Sequence, residues 1–148
     1  MTVNAGAQVS DAARLMCEEH VGALVVTAAL AENPVPIGML TDRDIVCAQL
    51  DRTVDFGQLR VADVMTSDPL VLNEETSVEQ AIHQLRSRRV RRAPVIDPAG
   101  KLVGVLSLDD LLSHLGRSVQ ALARTAQLRS HPHQAEWHDR RGRVPRQG

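Results

Sequence analysis

Two segments place a hydroxyl three residues ahead of a carboxylate: Thr41-x-x-Asp44 and Ser107-x-x-Asp110. That spacing is a helix capping box, in which each side chain satisfies a free backbone N–H of the first turn. The same geometry suits another chemistry. A helix start presents unpaired N–H groups and a partial positive charge, which favour an ionised phosphate. A first-turn carboxylate can accept from a pair of vicinal hydroxyls, and the Thr or Ser hydroxyl can donate to phosphate. Spacing alone leaves both readings open, and they can coexist.

Arg43 lies inside the first motif, where the second has Asp109. A cation at a helix start is mildly unfavourable, so its presence points to a guanidinium fork on phosphate. Arg86, Arg88, Arg89, Arg91 and Arg92 form a dense basic run. For Arg86, Arg88 and Arg89 a solvated helix end is an equally good account, since cations suit a helix C-terminus. The histidines make no metal set: His131, His133 and His138 lack helix-spaced ligand geometry and read as part of a polar tail. No nucleophile, base and orienting group cluster by spacing, so catalysis is not expected.

These residues sit on a repeat. Val9, Ala12, Ala13 and Met16 mark one helical face, and Val78, Ala81, Ile82 and Leu85 repeat it at an offset of 69. Ser77 and Gln80 cap the second copy. Short apolar runs follow, Ala23–Val26 and Ala93–Ile96, which read as buried strands. Turns through Glu32–Pro36 and Asp97–Gly100 lead to second strands, Ile37–Leu40 and Leu102–Leu106. Each copy then enters a helix at its hydroxyl–carboxylate motif. Leu108, Leu111, Leu112 and Leu115 are expected on the buried face of the second such helix. The chain is therefore α/β: two small sheets, each with two helices, packed against one another over a shared core because about 50 residues fold poorly alone.

The domain reading is repeat 1 over 1–50, a polar linker over 51–60, repeat 2 over 61–116, and a helical extension with a disordered tail over 117–148. Val119, Leu122, Ala123 and Ala126 mark the extension's face, and the tail beyond Ser130 is rich in Pro, His, Gln and Arg. The chain has 148 residues, 43% of them apolar, and no run approaches a membrane span. Net charge is −1, which gives no pull towards nucleic acid. Phe56 and Trp137 are the only aromatics, too few for base stacking. The N-terminus carries no secretory signal, so a cytoplasmic location is expected, with Cys17 and Cys47 as reduced, packed thiols.

The chain resembles the CBS domain, named after cystathionine beta-synthase. The carrying residues are Gly38-Met39-Leu40-Thr41-Asp42-Arg43-Asp44 and Gly104-Val105-Leu106-Ser107-Leu108-Asp109-Asp110. Asp63-Val64-Met65-Thr66 with Pro69, and Val90-Arg91-Arg92-Ala93-Pro94-Val95-Ile96-Asp97, support it. The resemblance covers roughly residues 3 to 115, and the chain is also similar to small two-CBS proteins of actinobacteria.

It implies a pseudo-symmetric pair, a Bateman module, that binds AMP, ADP, ATP, S-adenosylmethionine or a related ligand in clefts between repeats. It further implies a homodimer, a regulated protein partner, no catalysis and no required cofactor. The sites so implied are Thr41, Arg43 and Asp44 at one helix start, with Thr66, Asp68 and Leu70 as a lead-in wall. Arg91 and Arg92 would meet phosphate, and Val90, Pro94 and Leu70 would line an adenine slot. Ser107 and Asp110 would belong to the other cleft, whose lead-in is truncated and where Asp109 would repel phosphate, so the Asp44 cleft is expected to bind more tightly. The competing reading is an interaction module for protein or nucleic acid with empty clefts.

Overall fold

The structure, a computed structural model, describes residues 1–28, 34–50 and 55–128. Part of the first turn, the start of the linker, and the tail with Trp137, His131, His133 and His138 lie outside the described residues. The chain divides into two compact units, Met1–Leu111 and Leu112–Gly148.

The first unit holds both repeats. Repeat 1 runs β1 (Thr2–Asn4), α1 (Val9–Glu18), β2 (Ala23–Thr27), β3 (Pro36–Thr41) and α2 (Asp42–Leu50). A 3-10 turn (Phe56–Gln58), α3 (Val61–Val64) and β4 (Thr66–Ser67) connect to repeat 2. That repeat runs β5 (Leu72–Asn73), α4 (Val78–Arg88), β6 (Arg92–Ile96), β7 (Leu102–Ser107) and α5 (Leu108–Leu128). Each repeat thus gains a short strand ahead of its first helix. β1 pairs in parallel with β2, and β5 with β6. Asn4 and Asn73 close equivalent turns after these strands, their side chains accepting from the Gly6 and Glu75 amides.

The sheet orders are β1-β2-β3-β4 and β5-β6-β7. The fourth strand of the first sheet comes from the lead-in to repeat 2. Gly38 opposes Ser67, and Met39 opposes Thr66. Gly38 permits this approach: a Cβ there would lie 2.5 Å from Met65 Sδ and 3.1 Å from the Thr66 carbonyl oxygen. At Gly104, the repeat 2 counterpart, a Cβ would meet nothing within 4 Å.

Each repeat has its own core on the helix side of its sheet. In repeat 1, Val9, Ala12 and Met16 of α1 pack with Leu24, Val26, Leu40, Ile45 and Val61. In repeat 2, Ala81 and Leu85 pack with Leu72, Ala93 and Leu111. Val25, Met39 and Pro94 are buried too, yet belong to neither cluster. Strand alternation puts Val25 on the sheet face opposite Leu24 and Val26. Burial of both faces requires a second layer beyond the helices.

Two expectations about burial are corrected. Of the four leucines assigned to one buried face of α5, only Leu111 is buried; Leu112 is 58% and Leu115 40% exposed. Apolar spacing marks a face but does not say what covers it. Cys17 and Cys47 are exposed rather than packed. Cys17 lies one residue past buried Met16, about 100° further round the helix, so it turns outward.

The described part of the second unit is the stretch of α5 over 112–128. Every residue from 112 to 126 is exposed. No described helix is long and apolar enough to cross a membrane.

Candidate functional site

The two hydroxyl–carboxylate motifs fold alike. In repeat 1 the Thr41 amide and hydroxyl both donate to Asp44 Oδ2, at 2.8 and 2.7 Å, and the Asp44 amide donates back to Thr41 Oγ1. In repeat 2 the Ser107 amide and hydroxyl donate to Asp110 Oδ2, at 3.2 and 2.6 Å, with the Asp110 amide returning a bond to Ser107 Oγ. The first helical amide of each, Asp42 and Leu108, donates to a carbonyl ahead of the adjacent strand, Gly22 and Arg91. Capping is thus realised at both places. It holds the Asp110 carboxyl below the usual carboxylate range, first through the Ser107 hydroxyl, then the Ser107 amide, with a smaller pull from Arg92.

Beside the first motif lies a cleft of about 630 Å³, within the range of small-molecule sites. Its floor and one side are Met39, Thr41, Asp42 and Arg43, from β3 and the start of α2. The lead-in supplies Thr66, Ser67, Asp68, Pro69 and Leu70 as a second wall. The end of α4 and the start of β6 close it with Arg88, Arg89, Val90, Arg91 and Arg92. Eight of the residues expected from sequence therefore meet here: Thr41, Arg43, Thr66, Asp68, Leu70, Val90, Arg91 and Arg92.

The other four do not line this cleft. Asp44 is turned into its cap with Thr41, and Pro94 is fully buried. Ser107 and Asp110 form the equivalent cap of repeat 2. The expected clash of Asp109 with phosphate is altered as well, because Asp109 pairs with Arg91 at 3.4 Å.

Sequence reasoning did not place Met39, Asp42, Ser67 and Pro69 among the site residues, and left Arg88 and Arg89 undecided. Arg89 carried a signal only the backbone reveals. It ends α4 in the left-handed conformation, φ 55°, where glycine is the default. Asp68 is also left-handed, φ 52°, and pairs with Arg88 at 3.7 Å across the cleft wall. Asp42 and Arg92 both approach Gly22: its missing Cβ would lie 3.2 Å from Asp42 Oδ2 and 3.9 Å from an Arg92 guanidinium nitrogen.

Five lining residues are arginine and two are aspartate, an excess of three positive charges. The pseudo-equivalent positions are different. At the offset of 69, Glu19, His20, Gly22 and Ala23 stand where repeat 2 has Arg88, Arg89, Arg91 and Arg92; after the shorter second loop the offset is 66, and Asp109 stands where repeat 1 has Arg43. His20 shares the left-handed backbone of Arg89, so conformation is kept while charge is not.

The CBS domain model matches residues 1–51 and 61–117. The chain belongs to the CBS-domain family. Its relatives include the CBS domain-containing protein YhcV of Bacillus subtilis, 36% identical over 110 residues, covering 74% of each chain. An uncharacterized Methanopyrus kandleri protein is 28% identical over 97 residues; the match spans 66% of this chain and 48% of that relative's length. Among solved structures, Hypoxic Response Protein I with two coordinated zinc ions is 28% identical at a TM-score of 0.65, covering 77% of this chain and 89% of that one. CBSX2 in complex with AMP is 29% identical at 0.65, covering 79% and 87%. A hexameric CBS-CP12 protein from bloom-forming cyanobacteria is 33% identical at 0.64, covering 76% and 63%. Among the described residues of this CBS pair, no group of three or more His, Cys, Asp or Glu is placed to hold a metal ion.

Proposed function

We propose that this CBS pair is a cytoplasmic, non-catalytic regulatory module that senses an adenosine nucleotide in the cleft between the Thr41 motif and the α4–β6 arginines. The observation that carries the reading is that cleft, walled by both repeats and rich in guanidinium groups. CBSX2, a structural neighbour of this chain, is in complex with AMP. Arg43, Arg89 and Arg92 would fork onto phosphate. Val90, Leu70 and Met39 offer an apolar slot for the base. Asp44 does not line the cleft, but its Oδ1 makes no hydrogen bond among the described residues and could accept from a ribose hydroxyl at the cleft edge while Oδ2 caps α2. The Asp110 cap, where Asp109 takes up Arg91 and where Gly22 and Ala23 stand at the positions of Arg91 and Arg92, would be the weaker of the two sites.

The same reading includes a homodimer that presents the module to a protein partner. α2 leaves Val46 and Leu50 exposed, and α5 leaves Leu112, Leu115, Val119 and Leu122 exposed. That is more apolar surface on helices than an isolated chain normally carries.

A ligand that binds the folded state raises the thermal midpoint by mass action. A thermal-shift screen over AMP, ADP, ATP, S-adenosylmethionine and NADH tests the proposal. At least one adenosine ligand is expected to raise the midpoint by several degrees. No shift with any of them at millimolar concentration would sink the reading.

A further inference from the structure

We infer that the cleft selects a nucleoside polyphosphate over the corresponding monophosphate, with Arg43, Arg89 and Arg92 as the specificity-determining residues. The inference rests on the cleft being the nucleotide site. Its ground is the pairing state of the arginines. Arg88 is held by Asp68 and Arg91 by Asp109. Arg43, Arg89 and Arg92 make no ion pair or side-chain hydrogen bond among the described residues.

These three come from different elements: Arg43 from the first turn of α2, Arg89 from the end of α4, and Arg92 from the start of β6. Forks on three separate elements match a chain of phosphates better than a single phosphoryl group. One phosphoryl group carries roughly −1.5 to −2 charge at neutral pH. With Arg91 held by Asp109 the excess around the cleft is two, so one phosphoryl group nearly offsets the charge; what it leaves unmet is the spread of three forks over three elements. Each further phosphate supplies acceptor oxygens to a guanidinium that makes no ion pair among the described residues. The left-handed backbone of Arg89 adds to the case. A non-glycine residue there costs free energy, and its position aims the side chain from the end of α4 at the cleft it lines.

Calorimetry on the full chain tests this, with AMP and ATP as probes in about 0.15 M salt and no divalent cation. ATP is expected to bind about tenfold or more tightly than AMP, the worth of one additional charge-assisted contact after discounting for exposed side chains. The double variant Arg89→Gln with Arg92→Gln should narrow that ratio to about two while lowering AMP affinity less. Its melting midpoint, taken without ligand, reports folding separately. Equal affinity for AMP and ATP, or a ratio unchanged in the folded double variant, would overturn the selectivity and leave the nucleotide reading standing. Binding of neither probe would remove both.

Discussion

The caps at Thr41–Asp44 and Ser107–Asp110 serve helix stability, and under the proposed function the same side chains would serve recognition. Asp110 is the case in which the electrostatics are resolved. Its folded carboxyl titrates below the ordinary range because the Ser107 hydroxyl and amide favour the ionised form. A group depressed on folding adds stability that is present above its unfolded value and lost as pH falls through its folded value. Ser107→Ala should therefore move the Asp110 midpoint up towards the ordinary carboxylate value in an NMR titration; Arg92→Gln should move it the same way by less. An unmoved midpoint in Ser107→Ala would refute the assigned cause.

Asp44→Ala removes an acceptor that caps α2, which costs about 0.5–2 kcal/mol of stability by analogy with lost caps. It should also lower nucleotide affinity about tenfold or more, through lost charge-assisted bonds. Asp110→Ala should cost less affinity. Calorimetry on the two variants decides between the sites. Both motifs were legible as spacing, because a capping box is a local pattern. That Asp109 meets Arg91 was not legible, because it depends on where two flexible side chains come to rest.

At the scale of elements, β4 is the piece that makes the cleft. It crosses from the lead-in of repeat 2 to the edge of β3, and Gly38 gives it room. Gly38→Ala should press on Met65 and the Thr66 carbonyl, cost about 1 kcal/mol or more in urea denaturation, and weaken nucleotide binding by shifting the wall. Gly104→Ala should be neutral or gain a few tenths, since its Cβ would meet nothing and alanine loses less chain entropy. Equal effects at the two glycines would contradict this account.

α1, α4 and α5 could be read from apolar periodicity, α2 from its capping motif, and β2, β3, β6 and β7 from short apolar runs; the four-residue α3 could not. β1, β4 and β5, of two or three residues, could not: they are too short to hold a period and exist only through their partners. The α5 face was legible as a stripe, but its exposure was not, since a stripe is equally a core face or an interface.

On the scale of the whole molecule, the repeat is a geometric frame with unequal charge written on it. The turn after each first helix keeps the same left-handed backbone, at His20 and Arg89, while the side chains change. Oligomeric state belongs to this scale. Leu115, Val119 and Leu122 on α5 are 40%, 65% and 71% exposed. Leu115→Asp with Leu122→Asp should convert a dimer to a monomer in light scattering at micromolar concentration, without lowering the monomer's solubility. A wild-type chain that is already monomeric would remove this part of the proposal.

The most direct test of the central claim is where nucleotide lands. An NMR titration of the full chain with ATP would follow backbone amides throughout. The account predicts saturable shifts at Thr41–Arg43, Thr66–Leu70 and Arg88–Arg92, with Glu19–His20 and Ser107–Asp110 responding only at higher concentration. Shifts that saturate first around Ser107–Asp110 and leave Arg88–Arg92 unmoved would contradict it.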